Sequence, residues 1–351
     1  MKVAVMGLMQ SGKSTLISAI SSKPIPQVGS VQIEEVIATV PDTRIDWLVD
    51  LYKPKKTVHA TIDCLDVPGF SFADENSRTA ARRLLNQVRT AELLVLVIKA
   101  FDSAGTTANP KGDLGDLMTE FLLADLELVE TRIERLEKQV NKPSKDQAKQ
   151  KAELAIQLKL RETIESEKPI SAAITTPEEL EMVKSLGFLT IKPIVVVLNT
   201  PEDEPDKSID LDETVGSETP VVSVCAEIEY ELAQLDTESR VEFMSDLGIT
   251  TSALNKFVKA CNSALSQICF LTVGPDEVRA WPIAAGTTAL DAADKIHSDI
   301  KRGFIRAETI AYDDLKEFGD EKAVKAAGKT RLEGKTYIVA DGDIINFRFN
   351  V

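Results

Sequence analysis

The chain has 351 residues, 43% of them hydrophobic, with a formal net charge of −15 and a pI near 4.8. That length exceeds one typical core and predicts two or three domains. The acidic balance argues against broad nucleic-acid coating through counterion release, and leaves docking through a local basic patch open. No run is long and apolar enough for a transmembrane helix, and the first residues read as a strand rather than a signal peptide. Cys64, Cys225, Cys261 and Cys269 form no C-x-x-C pair, so all four are expected as reduced thiols, mostly core, in a cytoplasmic protein. Only His59 and His297 are present, which argues against histidine-based metal or triad chemistry.

The apolar run Val3–Met6 reads as a buried strand, and Thr15–Ile20 as the first turns of a helix. Between them lies Gly7-Leu-Met-Gln-Ser-Gly-Lys-Ser14, which fits G-x-x-x-x-G-K-[ST] at every fixed position. Strand, glycine loop and helix together form a phosphate cradle. Gly7 and Gly12 let the backbone curl its N–H groups inward, and the helix N-terminus adds partial positive charge. Lys13 is placed to reach the β- and γ-phosphates, and the Ser14 hydroxyl to bind Mg²⁺. Ser22–Ser30, with two prolines and a glycine, reads as a loop in the place of a first switch. The stretch Val31–Glu34 lacks the threonine such a switch usually supplies.

Val36–Val40 and Thr57–Leu65 read as strands, with a short helix between them after Pro41-Asp42. His59, in the second run, is expected to be structural or at the surface. The strand ends in Asp66-Val-Pro-Gly69, a D-x-x-G about 50 residues past the glycine loop. Asp66 would hold Mg²⁺ through water, and the Gly69 N–H would sense the γ-phosphate. Phe70 follows, where many small GTPases carry a glutamine that orients the attacking water, a task a phenyl ring cannot perform. The helix expected over Asp74–Arg89 carries Arg78, Arg82, Arg83 and Arg89, which can form a solvated basic face or supply an arginine finger.

Ala91–Ile98 is a continuous apolar strand of the kind buried in a parallel sheet. From about Met118 the period changes: Leu122, Leu126, Val129, Ile133, Leu136 and Val140 form a heptad seam. Asn141–Ser144 breaks it, and a second helical run, about Lys145 to Glu167, returns along the first. This antiparallel hairpin is either a docking arm or a purely structural one. Thr176 is expected to cap a further helix over Pro177–Leu186. The sheet resumes at Ile191–Asn199, so the hairpin is inserted into one nucleotide domain. Asn199-Thr-Pro-Glu202 stands where GTPases carry N-K-x-D, with Thr200 for lysine and the longer Glu202 for aspartate. Adenine offers an acceptor at N1 and no N2 amine, so these changes weaken a guanine-specific lock. Pro220–Ala226 is expected as the last strand of this sheet, ending beside the base and packed by helix from Glu227 to about Ser266. A smaller module follows, with strands expected at Cys269–Val273, Glu277–Ile283, Tyr337–Val339 and Ile344–Asn350, and a helix at Thr288–Ile296. Lys301–Arg306 is its basic, aromatic patch, either an RNA contact or a structural turn.

These residues, in this order, resemble the YchF-type proteins of the Obg-related GTPase family. The C-terminal part carries the most specific likeness, to that family's TGS domain: Val278-Arg-Ala-Trp281, Gly286-Thr-Thr288, Gly303–Glu308, Arg331–Lys335, Asp341-Gly-Asp343 and Phe347–Val351. Leu123–Glu130 and Arg135-Leu-Glu137 resemble its helical arm, and Val224-Cys-Ala226 its fifth nucleotide motif. The likeness spans nearly the whole chain. The departures lie at Gln10-Ser11, where that family usually has Asn-Val, at the missing Phe-Pro-Phe-Cys-Thr run near Ser30–Ile33, and in the short, glycine-free stretch Phe70–Leu84. Together they resemble a divergent paralogue in which the binding residues persist and the switch segments have changed.

The expected fold is α/β: a P-loop NTPase domain with a mostly parallel sheet, an inserted antiparallel helical hairpin and a C-terminal β-grasp (TGS) domain. The expected boundaries are 1–117 and 191–267 for the nucleotide domain, 118–190 for the inserted helical coiled coil and 268–351 for the TGS module. Expected nucleotide contacts are Gly7, Gln10, Ser11, Gly12, Lys13, Ser14, Thr15, Asn199, Glu202, Val224, Cys225 and Ala226. Lys13, Asp66 and Gly69 are the expected catalytic groups, and Ser14 and Asp66 the Mg²⁺ ligands. The resemblance implies slow hydrolysis of ATP, often in preference to GTP, and association with the ribosome, its RNA or its proteins. Without a glutamine, water would be oriented by backbone, by a cation such as K⁺ or by a partner. A catalytically weak, nucleotide-dependent binding module is the alternative. The chain is expected to be a monomer with no membrane contact.

Overall fold

The computed structural model describes residues 1–21, 32–103, 105–142, 145–249 and 251–350. The loop expected at Ser22–Ser30 and Val31 of the expected first switch lie outside the described residues. In chain order the elements begin β1 (Lys2–Met6), α1 (Lys13–Ser21), β2 (Glu34–Thr39), α2 (Thr43–Tyr52), β3 (Lys56–Val58), β4 (Thr61–Asp66) and α3 (Glu75–Gln87). Next are β5 (Leu93–Lys99), α4 (Pro110–Val140), α5 (Gln147–Glu165), α6 (Pro177–Lys184), β6 (Ile194–Asn199), α7 (Asp212–Val215), β7 (Val221–Val224), α8 (Ala226–Gln234), α9 (Thr237–Asp246) and α10 (Ala253–Ala264). The last stretch holds β8 (Gln267–Thr272), β9 (Glu277–Ala284), α11 (Ala289–Ile296), α12 (Ser298–Arg302), β10 (Phe304–Ala311), α13 (Tyr312–Phe318), α14 (Glu321–Ala326), β11 (Arg331–Glu333) and β12 (Asp343–Phe349).

The chain divides into two compact units, 1–37 with 63–260, and 38–62 with 261–351. The first is built on a six-stranded sheet ordered β2-β4-β1-β5-β6-β7. The pairs β1–β4, β1–β5, β5–β6 and β6–β7 are all parallel. Every residue of β5 is buried, as expected for a strand covered on both faces. Helix α4 is one continuous rod that starts at an Asn109 cap with Pro110 in its first turn, eight residues before the heptad becomes visible. Its first half puts Leu114, Leu117 and Phe121 into the sheet's core. Its second half puts Val129 and Ile133 into a separate core with Ile156, Leu160 and Ile164 of α5. The expected antiparallel hairpin is therefore present. Thr176 caps α6 as expected, in a full capping box with Glu179.

The basic helix face differs from either expectation. Arg89 donates to the fully buried Asp125 of α4 at 2.6 Å, and Asp125 also accepts from Leu189 N, Thr190 N and the Thr190 hydroxyl. Arg78 and Arg82 face Glu120 of α4 at 3.7 and 4.0 Å. These arginines tie α3 and the turn after it to the root of the arm; Arg83, like Arg78, is exposed.

The second unit holds a mixed sheet ordered β11-β10-β12-β8-β9-β3. Its sixth strand corrects the single strand expected over Thr57–Leu65. Lys56–Val58 pairs in parallel with Glu277–Arg279 of β9, and a break at His59-Ala60 separates it from β4. The alternation of residue types gives a strand its faces and does not say which sheet it joins. Two further corrections concern this unit. Tyr337–Val339 makes only an isolated bridge between Ile338 and Thr288, and the strand that flanks β12 is β10. The Lys301–Arg306 patch is also taken apart. Lys301 pairs with Asp291 and Asp294, Arg302 pairs with Asp299, and Phe304 is buried in the core. Lys301 and Arg302 are neutralised locally, Arg306 stays exposed, and the ring the patch was expected to offer RNA is unavailable for stacking.

Candidate nucleotide site

The loop between β1 and α1 lies at the carboxyl ends of the parallel strands, where open α/β sheets hold their ligands. Two of its glycines are required by contact. A Cβ on Gly7 would sit 2.4 Å from the Val97 carbonyl oxygen. Gly12 has φ of +82°, and a Cβ there would sit 1.9 Å from Asn199 Nδ2. Gln10 also takes a left-handed conformation, with φ of 62°, and completes the curl. Helix α1 then starts at Lys13 with no acidic residue in its first turn, which leaves its N-terminus open to an anion.

Lys13 and Asp66 meet as a buried ion pair, each about 6% exposed. The loop after Asp66 is held against the glycine loop by backbone bonds, Phe70 N to Gly7 O at 3.0 Å and Met9 N to Phe70 O at 2.8 Å. Gly69 is thereby packed on the backbone of Met9, where a Cβ would lie 3.1 Å from Met9 Cα. Phe70 is 2% exposed and stacks on Phe72. Its side chain belongs to the core and not to the site.

Asn199, expected at the base edge, is engaged within the protein. Its Nδ2 donates to the Ser11 carbonyl at 2.9 Å, and its Oδ1 accepts from Ala226 N at 3.0 Å. The amide braces the glycine loop against the start of α8 and keeps one N–H to spare. Thr200, where N-K-x-D carries lysine, donates to the Pro205 carbonyl at 2.9 Å and so folds the following loop back.

A cleft of about 970 Å³ opens here, at the upper end of the usual range for small-molecule sites. It brings together Gln10, Gly12, Thr15, Asn199, Glu202, Cys225 and Ala226 from the expected set. Gly7, Ser11, Lys13, Ser14, Asp66, Gly69 and Val224 are not among its lining residues. Lys13 and Asp66 lie buried on each other, and Ser11 is buried with an unpartnered hydroxyl. Burial raises the Cys225 thiol above its ordinary range, so at neutral pH it is an uncharged wall and not a nucleophile. Among the lining residues that the sequence reading did not single out are Phe101, with Lys99 Nζ 5.2 Å from its ring, and Lys207. An aromatic just past the carboxyl end of a fully buried strand is the signal that could have found Phe101. Asp102, Glu202, Asp203, Glu204 and Glu227 make this end of the cleft acidic.

Ser14 and Asp66 supply a hydroxyl and a carboxylate, hard oxygen donors suited to Mg²⁺. The Lys13 ammonium on Asp66 is a stand-in for a cation at that carboxylate, so the residues fit the metal.

A parallel sheet with this loop, its buried lysine and a carboxylate at the end of the neighbouring strand defines a protein of the P-loop NTPase class. Comparison with known proteins narrows the class. A family model described as a 50S ribosome-binding GTPase matches residues 2–200, and the YchF GTPase C-terminal family model, described as a protein of unknown function, matches residues 267–350. The chain is 38% identical to the ribosome-binding ATPase YchF of Bacillus subtilis, over 99% of this chain and 98% of that protein. It is 34% identical to the Obg-like ATPase 1 of Oryza sativa subsp. japonica, over 100% of this chain and 92% of that protein. The structure of the Schizosaccharomyces pombe YchF GTPase superposes with a TM-score of 0.83 at 30% identity, covering 99% of this chain and 97% of that one. This chain belongs to the YchF family.

Proposed function

We propose that this protein binds and slowly hydrolyses a nucleoside triphosphate, ATP before GTP, as a switch that associates with the ribosome. The observation that carries this reading is the Lys13–Asp66 pair at the mouth of the glycine loop, beside the cleft bounded by Asn199 and Glu202. The ammonium and the carboxylate are poised to exchange partners: Lys13 turns to the phosphates, and Asp66 with Ser14 holds Mg²⁺, which neutralises phosphate charge when bound. The acidic end of the cleft repels phosphate, so the triphosphate lies toward Lys13 and the base toward Glu202. Phe101 offers the base a stacking face. Asn199 keeps the loop and the base pocket in register through its two internal bonds. Glu202, one methylene longer than the usual aspartate, fits the guanine edge less well. The names of the relatives support the ribosomal association and the choice of ATP.

Turnover is slow on this reading because no side chain takes the glutamine's place at Phe70. The same burial of Phe70 favours the second reading, a nucleotide-dependent binding module that acts through its helical arm and TGS surfaces. Phosphate release from ATP by the wild type, Lys13→Ala and Ser14→Ala separates the two. A slow wild-type rate that falls by about tenfold or more in both variants is expected. Hydrolysis that survives both substitutions overturns the assignment.

A further inference from the structure

We infer that the tip of the helical arm is a docking surface for the phosphate backbone of RNA, contacted by Lys138, Lys142, Lys145, Lys149 and Lys151. The inference rests on the ribosomal association proposed above and names the surface and the chemistry that carry it.

Four observations lead to it. The first is charge. Residues 138–151 hold five lysines and one acid, Asp146, in a chain whose net charge is −15. The second is that these charges are free. All five lysines are exposed, and among the described residues none of them enters an ion pair. Elsewhere on the arm the cations Arg132, Lys159 and Arg161 each face a carboxylate, Glu153, Glu179 and Glu165. The third is position on the helices. Lys138, in the last turn of α4, suits the negative end of that helix. Lys149 lies in the first turn of α5, with Lys145 just before it and Lys151 just after, and that turn has no acidic residue. Cations at a helix N-terminus oppose its dipole, so helix stability alone selects against them. The placement costs stability locally and needs another cause.

The fourth is what the tip lacks. Residues 138–151 contain no aromatic residue and no arginine, the anchors that dominate protein–protein hot spots. Val140 is the only large aliphatic residue there, too little apolar surface to seat in a bilayer. Lysine ammoniums on long stems contact phosphate as point charges, without the planar fork that fixes a specific bidentate contact. The surface therefore suits the RNA backbone, engaged without sequence preference.

The test is a charge reversal in the full-length protein of the three lysines at the start of α5: Lys145→Glu, Lys149→Glu and Lys151→Glu together. The same dipole argument predicts that this variant keeps or gains thermal stability, so a binding defect is not a folding defect. Binding to a fluorescein-labelled RNA hairpin is followed by anisotropy across a salt series, and binding to purified ribosomes by sedimentation. The expected result is an affinity loss of about tenfold or more for both, with the salt slope shallower by about three. A control, Lys322→Glu with Lys325→Glu, should leave RNA binding unchanged. Undiminished RNA and ribosome binding by the tip variant overturns the inference, as does wild-type binding to phosphatidylserine vesicles or polyglutamate in preference to RNA. A wild type that binds neither ribosomes nor RNA overturns the ribosomal association itself, and a nucleotide titration of the same samples tests the other half of that proposal separately.

Discussion

Gly12 carries two constraints at once. Its φ of +82° disfavours any side chain, and the space a Cβ would fill belongs to the Asn199 amide. Gly12→Ala must displace Asn199 from Ser11 and Ala226, leaving a buried carbonyl and a buried N–H without their partner. The expected cost is about 2–4 kcal/mol in urea unfolding, with loss of nucleotide binding by titration. The glycine loop, Lys13, Asp66 and the cleft position of Glu202 were all legible in the sequence, because each belongs to a motif of fixed spacing on a predictable strand end. The internal bonding of Asn199 was not, since it depends on Ala226, far along the chain. Phe101 was missed because it follows no motif, and its place just past the carboxyl end of the buried β5 is the one local sign of it.

At the scale of elements, the arm is fastened most fully by the Asp125 carboxylate. Asp125 is fully buried and accepts from Arg89, two backbone N–H groups and a threonine hydroxyl. Asp125→Ala strands all of these and should destabilise the protein by about 3–5 kcal/mol in urea unfolding. The heptad announced the hairpin because its buried positions repeat. The clamp could not be anticipated, because nothing in a helical pattern tells a solvated arginine from a paired one. A second joint responds to pH. Glu179 is held down to about 2, first by the hydrogen bond from Lys159 and then by Thr175. A carboxyl depressed in the folded state stabilises fully above its unfolded value near 4.5, and this contribution is lost as the pH falls toward 2. Thermal melts of the wild type and Glu179→Gln should therefore differ at neutral pH and converge in acid; a constant difference would contradict the assignment.

At the scale of the whole molecule, the chain does not divide in sequence order. Residues 38–62 leave the nucleotide unit, contribute α2 and β3 to the second unit, and return at β4. Within that second unit Arg44 pairs with Asp341, and Trp47 meets the edge of Tyr312. The sequence showed the helix α2 and one strand run holding both β3 and β4, and read them all as part of the nucleotide domain; β2 and β4 do join its sheet, but the placement of α2 and β3 was missed because long-range pairing leaves no local trace. The β-grasp character of the C-terminal stretch was legible through its family likeness. β10 was not, because the alternation of Phe304–Ala311 was hidden behind the cations that precede it.

The central claim is a nucleotide site that holds ATP more tightly than GTP through an altered base pocket. The most direct measurement is a calorimetric titration of the purified full-length protein with ATP and then GTP at one fixed Mg²⁺ concentration. The account predicts tighter binding of ATP, by about tenfold, a difference of about 1.4 kcal/mol. Tighter binding of GTP would contradict the reading of Asn199–Glu202, and binding of neither would contradict the site.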